Sequence, residues 1–192
     1  MLVKTAKQAE RAGQVIRRIR SFVKRSDPIR KFVDPAAIVA DTLGLAEIDA
    51  QSMGVSIIKT VAPDLPAINV DPILIEQVLM NLLKNGMDSM KESSRKELEL
   101  DVGLRESQIV FSVLDHGKGM APEVREHIFD SFYTTKAEGM GMGLNICRSI
   151  IESHQGRLWF EDNPSGGCLF QFSLPLEAVP ESERPPVTEK MQ

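Results

Sequence analysis

The chain has 192 residues, 42% hydrophobic and 26% charged, with a formal net charge of −4. It can bury a real core, which argues against a disordered chain. It shows no signal-peptide pattern, no internal repeat and no apolar run near the about 18 residues of a membrane span. Residues 1–31 hold ten Lys or Arg against Glu10 and Asp27, a net of +8, so the remainder carries −12 and two parts with different duties are expected.

Residues 1–26 read as one helix. Leu2, Ala9, Ile16 and Val23 share one heptad position and Thr5, Ala12 and Ile19 another, a narrow seam suited to a partner helix. The basic residues lie largely outside that seam without aromatic interleaving, so a solvated face is read there and no nucleic-acid contact. Asp27-Pro28 ends the helix. Residues 29–33 suit a short strand. Pro35 to Gln51 reads as a helix with Ile38, Val39, Leu43, Leu45 and Ile48 inward and Gly54 just past its end.

Val55 to Val61 alternates as a strand, and Pro63 to Pro66 is a loop. Asp71 is then a ready N-cap and Pro72 a good first residue for a helix to Met90, with Ile73, Val78, Leu79, Leu82, Leu83 and Met87 as its apolar face. Ser93 to Lys96 is a polar turn. Glu97 to Leu104 and Gln108 to Leu114 read as a hairpin with the more apolar second strand nearer the sheet centre. Arg157 to Glu161 and Cys168 to Leu174 read as another, joined through Asn163-Pro164-Ser165-Gly166-Gly167. The fold class that follows is α/β: a two-layer sandwich, a mixed sheet covered on one face by about three helices, after a long N-terminal helix. The Pro- and Glu-rich stretch over 177–192 is expected to be disordered. Cys147 and Cys168 lack ligand-like spacing and read as buried thiols of a reducing, cytoplasmic compartment.

Several stretches carry chemistry. Asn81 and Asn85, four apart, stack on one helix face and could offer carboxamide oxygens to a hard cation, or could simply face solvent. Asp115-His116-Gly117-Lys118-Gly119-Met120 puts a carboxylate at a strand end before glycines that let backbone approach a planar ligand, although a tight turn is the commoner meaning. Gly139-Met140-Gly141-Met142-Gly143-Leu144-Asn145 leads into a helix, the arrangement of a phosphate cradle. Between them Ile128-Phe129-Asp130-Ser131-Phe132-Tyr133-Thr134-Thr135-Lys136 offers an apolar hinge and a cation, as a lid would need.

In this order, NxxxN, DxGxG, FxxFYTTK and GxGxGL resemble the N, G1, F and G2 motifs of the ATP-binding domain of sensor histidine kinases. These kinases belong to the gyrase, Hsp90, histidine kinase and MutL superfamily. The resemblance covers roughly Phe32 to Leu176 and is similar in wording to the oxygen-sensor and C4-dicarboxylate-sensor subgroup. It implies a Bergerat-type fold and the cofactors ATP and Mg²⁺, with Asn85 as the Mg²⁺ ligand and Asn81 beside it near the phosphates. Asp115 would accept the adenine amine in a pocket shaped by Gly117, Gly119 and Met120. Gly139, Gly141, Gly143 and Leu144 would hold the triphosphate, with Thr135 and Lys136 beside it and Lys136 as the lid cation. Asn81 and Lys136 would serve catalysis.

Two departures from the pattern bear on this. Superfamily members that hydrolyse ATP carry a glutamate base where this chain has Asn81, which favours transfer over hydrolysis. Many relatives carry a cation where this chain has Asp88, leaving Lys84 or Lys136 to compensate. Residues 1–27 resemble the second helix of a dimerisation and phosphotransfer hairpin, followed by the catalytic domain over 28–176. The acceptor histidine would lie on a first helix outside this chain, since none of His116, His127 and His154 precedes an acidic residue. The resemblance thus implies a protein-histidine kinase that relays phosphate to a response-regulator receiver domain. It would dimerise through the N-terminal helix in the full-length protein and touch a membrane only through a part that precedes this one. Two alternatives are a serine kinase of the anti-sigma type and a degenerate nucleotide-binding or dimerisation module.

Overall fold

The structure is a computed structural model that describes residues 29–136 and 141–177. The helix expected over 1–26, Gly139 and the tail past Glu177 lie outside the described residues. In chain order these form β1 (Lys31–Val33), α1 (Pro35–Met53), β2 (Ser56–Val61), β3 (Ile68–Val70), α2 (Pro72–Ser89), β4 (Glu97–Arg105) and β5 (Gln108–Asp115). They continue with α3 (Pro122–Arg125), α4 (Gly143–Ser153), β6 (Arg157–Asp162) and β7 (Cys168–Pro175).

Five strands form one sheet in the order β2-β4-β5-β7-β6, with β2 parallel to β4 and every other neighbour antiparallel. The expected mixed sheet is therefore present, and β5, the more apolar hairpin strand, lies at its centre. A small antiparallel pair of β1 with β3 stands apart from it. Ile68 to Val70 is too short to show a strand period, and local sequence assigns it no element.

The helices α1, α2 and α4 cover one face of the sheet, and α2 packs between the other two. Asp71 caps α2 by accepting the amide hydrogens of Ile73 and Leu74, an arrangement that contributes about 1 kcal/mol. Ile75, Val78, Leu79, Leu82, Leu83 and Met87 are fully buried against the sheet, each stabilising the fold by about 1.5–3 kcal/mol. Under them Phe111 and Phe172 stack with centroids 4.6 Å apart.

Three residues expected inward face solvent. Leu45 and Ile48 on α1 are 64% and 69% exposed, and Ile73 on α2 is 72% exposed. The buried side of α1 instead uses Thr42, Ala46 and Ala50 beside Ile38, Val39 and Leu43. Small residues let α1 approach α2 closely, and hydrophobicity alone does not register them. Ile73 sits in the first turn of α2, opposite the buried stripe. Glu177, assigned from the sequence to the tail, is held by Asn69 Nδ2 at 2.7 Å and pairs with Arg30.

Candidate functional site

One face of α2 that turns away from the core carries Asn81, Asn85, Asp88 and Ser89. At 1.5 Å per residue this row is about 12 Å long, and each end meets a different loop.

At the Ser89 end is Asp115, the last residue of β5 and only 4% exposed. Its Oδ1 accepts from Ser89 Oγ at 2.7 Å and from the Gly117 amide at 2.8 Å. Burial pushes the carboxyl above the usual aspartate value, opposed by the hydrogen bonds from Ser89, Gly117 and the Cys168 amide and by nearby His116. Backbone crowds this carboxylate. A Cβ on Gly117 would lie 2.2 Å from Ser89 Oγ, and one on Gly167 would lie 1.9 Å from the Asp115 carbonyl oxygen. Gly119 and Met120 are half-buried next to it, and the Met120 carbonyl accepts from Arg125 Nε at 3.2 Å.

At the Asn81 end, α4 begins. Asn81 Nδ2 donates to Cys147 Sγ at 3.0 Å, and a Cβ on Gly143 would meet Asn81 Nδ2 at 2.9 Å. The first turn of α4 therefore comes down directly on Asn81, with Gly143 and half-buried Leu144 at its opening. Its first amides have no intrahelical carbonyl partners, and the dipole end is positive. Burial pushes the Cys147 thiol up to about 12, so it stays neutral and takes no part as a nucleophile.

Between the two ends, Lys136 Nζ donates to Asn85 Oδ1 at 2.9 Å and to Asp88 Oδ2 at 2.8 Å. Lys91 Nζ pairs with Asp88 Oδ1 at 2.9 Å. Burial raises the Asp88 carboxyl, but the hydrogen bonds and charges of Lys136 and Lys91 outweigh it and hold the group below the usual aspartate value. Lys84 lies 3.8 Å from Asp49 on α1, so of the two cations expected to compensate for Asp88, only Lys136 meets it.

The segment carrying Lys136 is fastened to α4. The Phe132 amide donates to the Gly141 carbonyl at 2.9 Å, and Asn145 Nδ2 donates to the Phe129 carbonyl at 2.9 Å. Gly141 has φ +65°, and a Cβ there would lie 2.4 Å from the Phe132 carbonyl carbon, so glycine is required both for conformation and for approach. Thr135 is exposed beside Lys136.

The fold thus brings together Asn81, Asn85, Asp115, Gly117, Lys136 and Gly143 around one row, while Gly141 packs on Phe132 and Tyr133 of the segment carrying Lys136. Four participants were missed in the sequence: Ser89, Asn145, Gly167 and the Cys168 amide. Ser89 follows Asn85 by one helical turn, a signal that was present. Gly166-Gly167 read as plain turn chemistry, because its approach to Asp115 is set by the β5–β7 pairing.

Residues 70–178 match the family described as histidine kinase-, DNA gyrase B-, and HSP90-like ATPase. The chain belongs to this family. Within it the chain is an ATP-binding domain of the sensor histidine kinase type. It is 40% identical over 175 residues to the C4-dicarboxylate transport sensor protein DctS of Rhodobacter capsulatus, covering 90% of this chain and 27% of that protein. Among solved structures, the catalytic domain of the histidine kinase ThkA superposes with a TM-score of 0.68 at 26% identity, over 76% of this chain and 95% of that one. Full-length ShkA in complex with AMPPNP gives a TM-score of 0.67 at 26% identity, over 77% of this chain and 31% of that one. The chain therefore spans about a quarter of the length of DctS. No helix among the described residues is long and apolar enough to cross a membrane.

Proposed function

We propose that this chain binds ATP with Mg²⁺ and transfers its γ-phosphoryl group to a histidine on a helix outside these residues, for relay to a response-regulator aspartate. The observation that carries this reading is the row on α2: a buried carboxylate at one end, a helix N-terminus at the other and a lysine held between them. Asp115 accepts the exocyclic amine of adenine, with Gly117, Gly119 and Met120 lining the base. Gly139, Gly141, Gly143 and Leu144, with the opening amides of α4, bind the phosphates, while Thr135 and Lys136 approach from the other side.

The oxygens around Lys136 fit Mg²⁺. Asn85 Oδ1 and Asp88 Oδ2 are hard donors, and both hold a cation, the Lys136 ammonium, in this structure. Asn85 would ligate the metal, whose chemistry is to neutralise charge on the β- and γ-phosphates. The protein's own part is to position the nucleotide and to exclude water from the reacting phosphoryl. Asn81 has no basic atom with which to take a proton from water, which favours transfer to a side chain over hydrolysis.

The histidines within the chain are engaged otherwise. His116 contacts Glu99 at 2.9 Å, His127 contacts Asp130 at 2.8 Å and His154 is buried. The partners that follow from the reading are a receiver domain and a second copy joined through residues 1–27. Attachment to a membrane, where the parent protein has it, would come through a preceding part.

The test is incubation with Mg²⁺ and radiolabelled ATP, alone and with a separately supplied hairpin carrying the acceptor histidine. Label should appear on the added hairpin as acid-labile phosphate and on none of His116, His127 and His154. Label on one of those three, or none on the hairpin despite nucleotide binding, contradicts the transfer reading.

A further inference from the structure

We infer that Asp88 and Asn85 form a single cation-exchange site in which the Lys136 ammonium and the nucleotide's Mg²⁺ compete. The inference rests on the functional reading above and assigns to Asp88 a role that the resemblance, in which many relatives carry a cation at this position, does not supply.

Three observations carry it. First, Asn85 and Asp88 are three residues apart on α2 and point at one place, since a single nitrogen lies 2.9 Å from Asn85 Oδ1 and 2.8 Å from Asp88 Oδ2. Second, Asp88 is a strong partner. Its side chain is only 21% exposed, and Lys91 holds the other carboxylate oxygen, which fixes the rotamer that presents Oδ2 to the site. Third, the bonds to Lys136 come from 48 and 51 residues away in sequence, so they tie the segment after Phe132 to α2.

Mg²⁺ binds oxygen at about 2.0–2.1 Å and demands near-octahedral geometry. It cannot sit on Asn85 Oδ1 beside an ammonium 2.9 Å from the same oxygen without strong repulsion between the two cations. Arrival of the metal therefore drives the lysine off Asn85. Asp88 plays two parts in turn. It holds the ammonium beside the phosphate path in one state and offers a carboxylate to the metal, directly or through a bound water, in the other. The displaced ammonium is delivered next to the phosphates, where position 88, an aspartate, supplies no positive charge. Asp88 is thus a positioning residue for both cations.

The test is calorimetric titration of ADP at a series of Mg²⁺ concentrations, which yields the Mg²⁺ level giving half of the metal-dependent gain in affinity. ADP is chosen because it lacks the γ-phosphate that Lys136 would contact. Removing the competitor by Lys136→Gln should lower that level several-fold. Asp88→Asn, nearly isosteric, should raise it about tenfold, and Asp88→Glu should restore most of the loss. An ion pair with a merely structural role would leave the Mg²⁺ dependence unmoved. Unchanged levels in both Lys136→Gln and Asp88→Asn overturn this inference alone. No Mg²⁺-dependent ADP binding by the unaltered chain overturns the functional reading and the inference with it.

Discussion

The Asp71 amide donates to His154 Nε2 at 3.1 Å, so the residue that caps the start of α2 is bonded to the residue that ends α4. The same ring donates from Nδ1 to the Ile150 carbonyl at 2.8 Å, a tautomer assigned because Nε2 must accept. With the Asn81 to Cys147 bond further along, midway up α2 and nearer the start of α4, this clamps α4 antiparallel to α2. The N-terminus of α4 is thereby held over the asparagine row.

His154 should make stability acid-sensitive. Burial depresses its pKa from the ordinary 6.5, with the Arg30 charge acting the same way and the Ile150 carbonyl and Asp71 opposing. A histidine depressed in the folded state binds protons more readily when unfolded. Its stabilisation is therefore complete above the unfolded pKa and is lost as pH falls below about 6.5 towards the folded value. His154→Ala should cost about 1–3 kcal/mol at pH 7.5, because it leaves the Asp71 amide unpaired, and should flatten the loss between pH 7 and 5. Urea unfolding across that range checks both; an acid slope as steep in the variant as in the unaltered chain contradicts the assignment.

Ser89 should tune the pH range of nucleotide binding. Its hydroxyl helps to hold Asp115 ionised against a burial that raises the carboxyl, and protonation would turn one of the carboxylate's acceptor oxygens into an O–H donor. Ser89→Ala should push the carboxyl further up, so the acid limit of ATP binding moves to higher pH while affinity near pH 8 changes little. Binding measured at several pH values would show this, and an unmoved acid limit would count against it.

Gly167 should matter to binding although it lies in a hairpin turn. It has φ +94°, and an added Cβ would sit 1.9 Å from the Asp115 carbonyl oxygen. Gly167→Ala must displace backbone next to Asp115, the carboxylate proposed to read adenine. Both thermal stability and ATP affinity should fall, by more than for an alanine at Gly103, where nothing lies within 4 Å. Equal effects at the two positions would contradict the role given to the turn.

Much of the fold was legible from local signals. Asp71-Pro72, the apolar stripe of α2 and the two hairpins declared themselves through caps and periods. The inward side of α1 did not, since Thr42, Ala46 and Ala50 are selected by helix-to-helix distance and not by hydrophobicity. The α2 and loop motifs of the site were legible because each pairs a residue type with a backbone shape. The Asp88 to Lys136 pair depends on how the segment after Phe132 folds back on α2, a relation across 48 residues that spacing does not encode. Gly167 was hidden for the same reason, as its role arises only once β5 ends beside it, whereas Ser89, one helical turn after Asn85, did carry a local signal.

The most direct test of the nucleotide site is calorimetric titration of the unaltered chain and of Asp115→Asn with a non-hydrolysable ATP analogue in Mg²⁺. The variant should remain folded, with thermal stability equal or higher because a costly buried charge is removed. It should lose at least the about 1.5–3 kcal/mol of a hydrogen bond to a charged group, enough to abolish binding at micromolar concentrations. Equal affinity in the two proteins would contradict the adenine assignment, and with it the placement of ATP along α2.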